Sequence, residues 1–312
     1  MKREVLVMGP FYGPSLQALE QQFTAHKLWL EPDRDAFIAS VADRITAAAS
    51  TSARGVDAAT MDRLPRLKLI AHFGVGVDSV DTAAAKDRGI AVTNTPDVLT
   101  DDVADLALAL LLATVRRIPQ GDRYVRDGKW INAPFPLTDT IQGRTLGIIG
   151  MGRIGRAIAK RAQAFNLGIA YQGPNRKKDV SWAYFADPEA LAGEVDFLVA
   201  ACPGGEATRG LVDAKVIEAL GPKGVLVNIS RGSVVDEPAL VKALQEGRLG
   251  AAGLDVFADE PRVPRELIEL DNVVLQPHVG SATHPTRGAM GQLVLDNLDA
   301  FFAGRALRTP YS

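Results

Sequence analysis

Cysteine is almost absent from this chain of 312 residues, charge is nearly balanced, and no long hydrophobic run occurs. The single thiol, Cys202, cannot close a disulfide within the chain, which removes the bridged framework of small secreted domains. Only four histidines accompany it and they do not cluster, so no structural metal is expected. The formal charge of -2 gives no bulk attraction for nucleic acid or an anionic membrane, so any basic patch must act locally. The longest apolar stretch, LALALLLA from Leu106 to Ala113, falls far short of the roughly 20 residues that span a bilayer. The opening MKREVLVMGPFYGPS carries an apolar run too short for a signal peptide. A soluble, cytoplasmic protein with no nucleic-acid or membrane partner is the expectation.

What is present is a large core. At 47% hydrophobic and 23% charged residues, the chain can fill two domains of ordinary size. From Thr145 onward the segments LGIIG, GIAYQ, VDFLVAA, GVLVNIS, AAGLDVF and NVVLQP read as strands, with amphipathic helices between most of them. Short β-branched runs alternating with helices indicate βαβ crossovers and a buried parallel sheet, and six such strands match two mononucleotide-binding halves. A smaller alternation precedes them: EVLVMGP, ITAAAS, LKLIAHFG and GIAVTN. Asp101 to Pro119 reads as a helix capped by Thr100 or Asp101, stopped near Pro119 and apolar nearly all round, hence buried between domains or against another subunit. The tail HPTRGAMGQLVLDNLDAFFAG reads as a final amphipathic helix.

The stretch GMGRIG, Gly150 to Gly155, stands between a strand and a helix. Glycines at that turn let backbone approach a pyrophosphate at Gly150 and Gly152 and allow close helix–strand packing at Gly155, while the helix N-terminus, starting with Arg153 and Ile154, offers unpaired N–H groups. About twenty residues on, a carboxylate usually holds the ribose hydroxyls. Here that position is Gly173, followed by Asn175, Arg176, Lys177 and Lys178. Removing the acid removes repulsion toward a 2′-phosphate, and the cations offer donors to it, so NADP(H) is the expected cofactor, with NAD(H) possible. Asp179 lies too far along to stand in for the missing acid.

Three further segments carry chemistry. NISRGSVVDE sets Arg231 just after one strand, GLDVFADEP sets Glu260 after another, and LQPHVGSAT sets His278 after a third. All three lie near carboxyl ends of parallel strands, where open α/β sheets bind ligands. With HFGVGVDSVD, NTPDVLTDDVADLAL, GIIGMGRIG and ACPGGEATRGLV in order, the chain resembles the D-isomer-specific 2-hydroxyacid dehydrogenase family over essentially its whole length, and most closely its NADPH-dependent glyoxylate/hydroxypyruvate reductase branch.

The resemblance implies two Rossmann-like α/β domains, with a doubly wound, parallel-sheet nucleotide-binding domain inserted in a smaller flavodoxin-like substrate domain. Residues 1–97 would open the substrate domain, 98–284 would bind the dinucleotide, and 285–312 would return as a helix to the substrate domain. Arg231 resembles the residue that clamps the substrate carboxylate, and His278 the general acid that protonates the forming alkoxide. Glu260 would orient the imidazole and favour its charged form. Val75 and Gly76 match a loop whose N–H groups receive the carboxylate. Asp255 matches a contact to the nicotinamide carboxamide, and Pro203, Ser230 and Gly280 match positions lining the cofactor. A homodimer acting on a small 2-oxo or 2-hydroxy acid is implied, with the Leu106 to Ala113 helix contributing to the interface. Phe73, Trp130 and Phe135 are candidates for apolar pocket lining, while His72 and His284 rank below His278 as the acid. The alternatives are an NAD-linked member acting on lactate-like, phosphoglycerate-like or aryl substrates, and a non-catalytic dinucleotide-sensing protein.

Overall fold

In the computed structural model, which describes residues 2–311, the strands sort into two sheets whose strand pairings are all parallel. The first holds β1 (Glu4–Val7), β2 (Thr24–Lys27), β3 (Ala47–Thr51), β4 (Leu69–Phe73) and β5 (Ala91–Thr93), in the order β2-β1-β3-β4-β5. The second holds β6 (Thr145–Ile149), β7 (Gly168–Gln172), β8 (Ala183–Phe185), β9 (Phe197–Ala200), β10 (Val225–Asn228), β11 (Ala251–Leu254) and β12 (Val273–Leu275). Its order is β12-β11-β10-β9-β6-β7-β8. The first order is that of flavodoxin-like sheets. In the second, the strand order reverses at β6, which lies between β7 and β9, as in a doubly wound nucleotide-binding sheet. Two Rossmann-like α/β layers are therefore present, as the strand pattern indicates. The chain divides into one unit that runs to Leu99 and resumes at Ala282, and another from Thr100 to Ser281.

In the second unit all six strands read from sequence form, because each carries a mostly apolar run that the sheet largely buries. β9 and β10 are buried throughout. The seventh, β8, escapes sequence reading: three residues long at the sheet edge, with an exposure pattern that never reaches full burial, it has no continuous apolar signal. The helix Thr100–Val115 packs on the helix Arg153–Ala164 and on β10, β11 and β12. Leu110 and Leu111 are 2% and 0% exposed, and each such burial contributes about 1.5–3 kcal/mol. Its exposed stripe is Asp101, Asp105 and Ala109, and both acids pair with Arg161 of the neighbouring helix.

Pro119 does not end that helix. Arg117 does, at φ 50° in the left-handed region, and Pro119 sits in the first turn of the next helix, Ile118–Arg126, where a missing N–H costs nothing.

In the first unit the final helix, His284–Phe302, packs on β4 and on the helix Gly13–Gln22. A Cβ at Gly291 would lie 1.9 Å from Ser15 Oγ, so the close approach of these two helices depends on that glycine. The segment beyond the helix is anchored by Asn297, which is 1% exposed. Its amide donates to Leu293 O at 2.7 Å and Thr309 Oγ1 at 2.9 Å, and its carbonyl accepts from Arg308 N at 2.9 Å and Thr309 N at 3.2 Å. The chain then runs antiparallel to β5, with Tyr311 N donating to Val92 O at 2.8 Å. Like β8, the edge strand β2 (TAHK) lacks an apolar alternation and was not legible in sequence.

Candidate active site and dinucleotide cradle

Each glycine of the fingerprint has its own physical reason. Gly150 leaves β6 at φ 98°, and a Cβ there would meet Cys202 N and Cα at 2.7 Å, so only glycine lets β6 and β9 end side by side. Gly155 faces Gly150 O, which a Cβ would approach to 2.1 Å; this contact seats the helix Arg153–Ala164 on the turn. Gly152 is different: nothing lies within 4 Å of its Cβ position. It caps the helix without a side-chain hydrogen bond, leaving open backbone at a helix N-terminus, the arrangement a pyrophosphate needs. Arg153 is exposed and Ile154 half-buried at this end. Gly155→Ala is expected to cost about 1–3 kcal/mol of stability through overpacking. A thermal midpoint equal to wild type would show that helix and turn separate freely.

Pro203 is exposed after β9, and its carbonyl accepts from Thr208 Oγ1 at 2.7 Å. Gly173, after β7, has no atom within 4 Å of its Cβ position and an ordinary φ. Asn175, Arg176 and Lys178 are exposed and Lys177 half-buried. Gly173 thus presents neither a carboxylate nor a side chain at the end of β7.

At the other strand ends, three loops converge. Asn228, 1% exposed at the end of β10, organises the first of them. Its carbonyl accepts from Ser230 N at 3.0 Å and Ser230 Oγ at 2.9 Å, while its amide donates to Arg231 O at 2.9 Å. Arg231 Nη1 donates to Ser230 O at 2.8 Å. Gly232 then passes so close to the loop after β11 that a Cβ would sit 1.9 Å from Phe257 C. That approach brings the Arg231 loop against the Glu260 loop. Sequence reading missed both Asn228 and Gly232; the SRGS context held a signal, a glycine directly after a candidate clamp.

His278 closes the set. Its Nδ1 lies 2.7 Å from Glu260 Oε2, with the two side chains 36% and 34% exposed, so Nε2 is left for another partner. Glu260 Oε1 accepts from Phe257 N at 3.1 Å. Burial by itself would raise the Glu260 carboxyl; the His278 hydrogen bond and charge, the Phe257 N–H and the Arg231 charge outweigh it and hold the group below the usual glutamate range. His278 occupies φ 53°, a left-handed conformation uncommon outside glycine. Asp255 fixes that turn: its own carbonyl accepts from His278 N at 2.8 Å, and its carboxylate accepts from Val279 N at 2.7 Å and Gly280 N at 2.9 Å. Burial pushes the Asp255 carboxyl up, against the pull of those two N–H groups.

Val75 and Gly76 lie half-buried in the other unit, on the loop after β4, where Asn94 Nδ2 donates to Val75 O at 2.8 Å. His72 is 0% exposed with Nδ1 3.0 Å from Ser50 Oγ, which removes it as a solvent-accessible acid. His284 Nδ1 lies 3.0 Å from the Tyr12 hydroxyl. Phe73 is 4% exposed, stacked on Phe11 with Arg287 over its ring. Phe135 packs edge-on to Tyr124 beneath Arg117, and Trp130 is 66% exposed.

Residues 108–280, more than half of the chain, match the family model described as "D-isomer specific 2-hydroxyacid dehydrogenase, NAD binding domain". The chain belongs to this family. Over 98% of its length and 98% of the relative's, this 2-hydroxyacid dehydrogenase is 50% identical to a glyoxylate/hydroxypyruvate reductase of Arabidopsis thaliana. It is 49% identical, over the same shares, to a hydroxyphenylpyruvate reductase of Plectranthus scutellarioides. Its fold matches a crystal structure of an NADPH-dependent glyoxylate/hydroxypyruvate reductase from Sinorhizobium meliloti in complex with NADP and malonate, with a TM-score of 0.93 and 42% identity across 100% of this chain and 97% of that one. The dehydrogenase is thus an oxidoreductase with a nucleotide-binding sheet, and none of its helices, among the described residues, is long and apolar enough to cross a membrane.

Proposed function

We propose that this dehydrogenase reduces small 2-oxo acids, glyoxylate and hydroxypyruvate first, to D-2-hydroxy acids with NADPH, in the cytoplasm. The observation that carries the reading is the His278 Nδ1 to Glu260 contact at 2.7 Å, beside an arginine loop pressed against the same segment through Gly232. Arg231 holds the substrate carboxylate and draws electron density from its carbonyl. His278 donates the Nε2 proton to the forming alkoxide and accepts it back in the reverse direction, while Glu260 fixes the ring through Nδ1. When bound, the reduced nicotinamide supplies the hydride. Gly150, Gly152, Arg153, Ile154 and Gly155 cradle the pyrophosphate. Asn175, Arg176, Lys177 and Lys178 offer donors and charge to the 2′-phosphate, and Pro203, Ser230, Asp255 and Gly280 face the rest of the cofactor.

A second reading has specific support in the hydroxyphenylpyruvate reductase relative: an aryl 2-oxo acid as substrate. Initial rates with glyoxylate, hydroxypyruvate and hydroxyphenylpyruvate, each with NADPH and NADH, decide between them. The small acids with NADPH are expected to give the highest kcat/KM. A clear advantage for the aryl acid would replace the first reading, and no turnover of any would leave a dinucleotide-binding protein.

The protein is further proposed to be a homodimer. The apolar faces of Thr100–Val115 are taken up within their own unit, so the support comes from the next segment. There Ile118, Val125, Trp130, Ile131 and Leu137 are 56%, 56%, 66%, 90% and 100% exposed, five of the nine exposed large hydrophobics among the described residues. Light scattering at micromolar concentration should return twice the mass of the chain; a clean monomer would defeat this.

A further inference from the structure

The loop from Gly173 to Asp179 is held in place from below. Tyr171 is 0% exposed, and its hydroxyl accepts the backbone N–H of Lys177 at 2.7 Å. Tyr184, on the edge strand β8, donates its hydroxyl to Gly173 O at 3.1 Å. The two rings lie 5.3 Å apart, so one aromatic pair fastens both the start and the middle of the loop. The far end is tied to the phosphate-binding helix, where Arg156 grips Asp179 in a bidentate pair with both contacts at 2.9 Å. That hydrogen bond is the main reason the Asp179 carboxyl sits below the usual aspartate range. The one acid of the loop is therefore occupied. Arg176 and Lys178 make no ion pair among the described residues, and both are exposed.

We propose that Tyr171 and Tyr184 are positioning residues for cofactor choice: their hydroxyls pre-set the loop so that Arg176 and Lys178 present their charges to a 2′-phosphate. This rests on the NADPH reading above. A cationic loop free to wander loses conformational entropy on meeting an anion, and one already fixed by the two tyrosine hydroxyls loses less. The effect is confined to ligands that carry the 2′-phosphate, because the pyrophosphate cradle at Gly150–Gly155 does not depend on either hydroxyl.

The test is calorimetric titration of wild type, Tyr171→Phe and Tyr184→Phe with adenosine 2′,5′-bisphosphate and adenosine 5′-monophosphate. Each variant is expected to bind the bisphosphate ~10-fold more weakly while its affinity for the monophosphate moves by less than about two-fold. The KM for NADPH should rise in parallel. Unchanged bisphosphate affinity, or an equal fall for both ligands, would overturn the proposal. Tyr184 is only half-buried, so its variant keeps the question answerable if Tyr171→Phe fails to fold. Wild type that binds the two nucleotides equally would overturn the NADPH reading itself, and the proposal with it.

Discussion

Replacing His278 by alanine is expected to lower kcat by ~10²–10⁴-fold, the range that a positioned general acid contributes, with nucleotide affinity nearly unchanged. The structure adds a control that sequence alone could not supply. His278 sits at φ 53°, and alanine tolerates that conformation less well than asparagine does. His278→Asn keeps the backbone comfortable while removing the titratable ring, so a loss shared by both variants is a loss of proton transfer. Near-wild-type turnover in His278→Asn would take the acid role away from His278. Glu260→Gln completes the set, since it preserves shape and removes the charge that faces Nδ1 at 2.7 Å.

The same pair makes a pH prediction with a definite sign. The folded-state carboxyl of Glu260 is held below the ordinary glutamate value of 4.5. A depressed carboxylate stabilises the fold above its unfolded value and loses that contribution as pH falls through the folded one. Below about pH 4.5 the thermal midpoint of wild type should therefore drop more steeply than that of Glu260→Gln. Parallel curves would mean the pair contributes nothing to stability.

Why the sequence disclosed some of this and not the rest follows from what each residue touches. The interior strands were legible because burial on both faces demands apolar runs such as FLVA and VLV. The edge strands β2 and β8 face that demand on fewer sides, and TAHK and AYF carry no run to read. Pro119 was read as a stop because its missing N–H breaks a helix interior; that the same property suits a first turn is visible only once Arg117 is seen to turn the chain. Arg231, Glu260 and His278 could be singled out because each follows a strand on one sheet. Asn228 shapes the arginine loop through Ser230 and Arg231, a local turn signal that was passed over, whereas Gly232 acts through its approach to Phe257, distant in sequence, which no local pattern encodes. The tyrosine pair beneath the cationic loop is illegible for the same reason, since β8 had to be placed beside β7 before Tyr184 could face Gly173.

Gly173→Asp should reverse cofactor preference. The position has no atom within 4 Å of its Cβ and no left-handed φ, so a side chain can start there without a clash at Cβ or backbone strain. Its carboxylate would stand where ribose hydroxyls are usually held and would repel a 2′-phosphate, while Arg176 and Lys178 remain in place a few residues on. Loss of a charge-assisted contact together with like-charge repulsion corresponds to a fall of ~10²–10³-fold in kcat/KM with NADPH, and the value with NADH should hold or rise. Pairing the change with Arg176→Ala separates the two contributions: if repulsion dominates, the second substitution adds little, and if the guanidinium dominates, Arg176→Ala alone accounts for most of the loss. An NADPH preference that survives Gly173→Asp would place the 2′-phosphate elsewhere and leave Asn175 to Lys178 as a solvated basic turn.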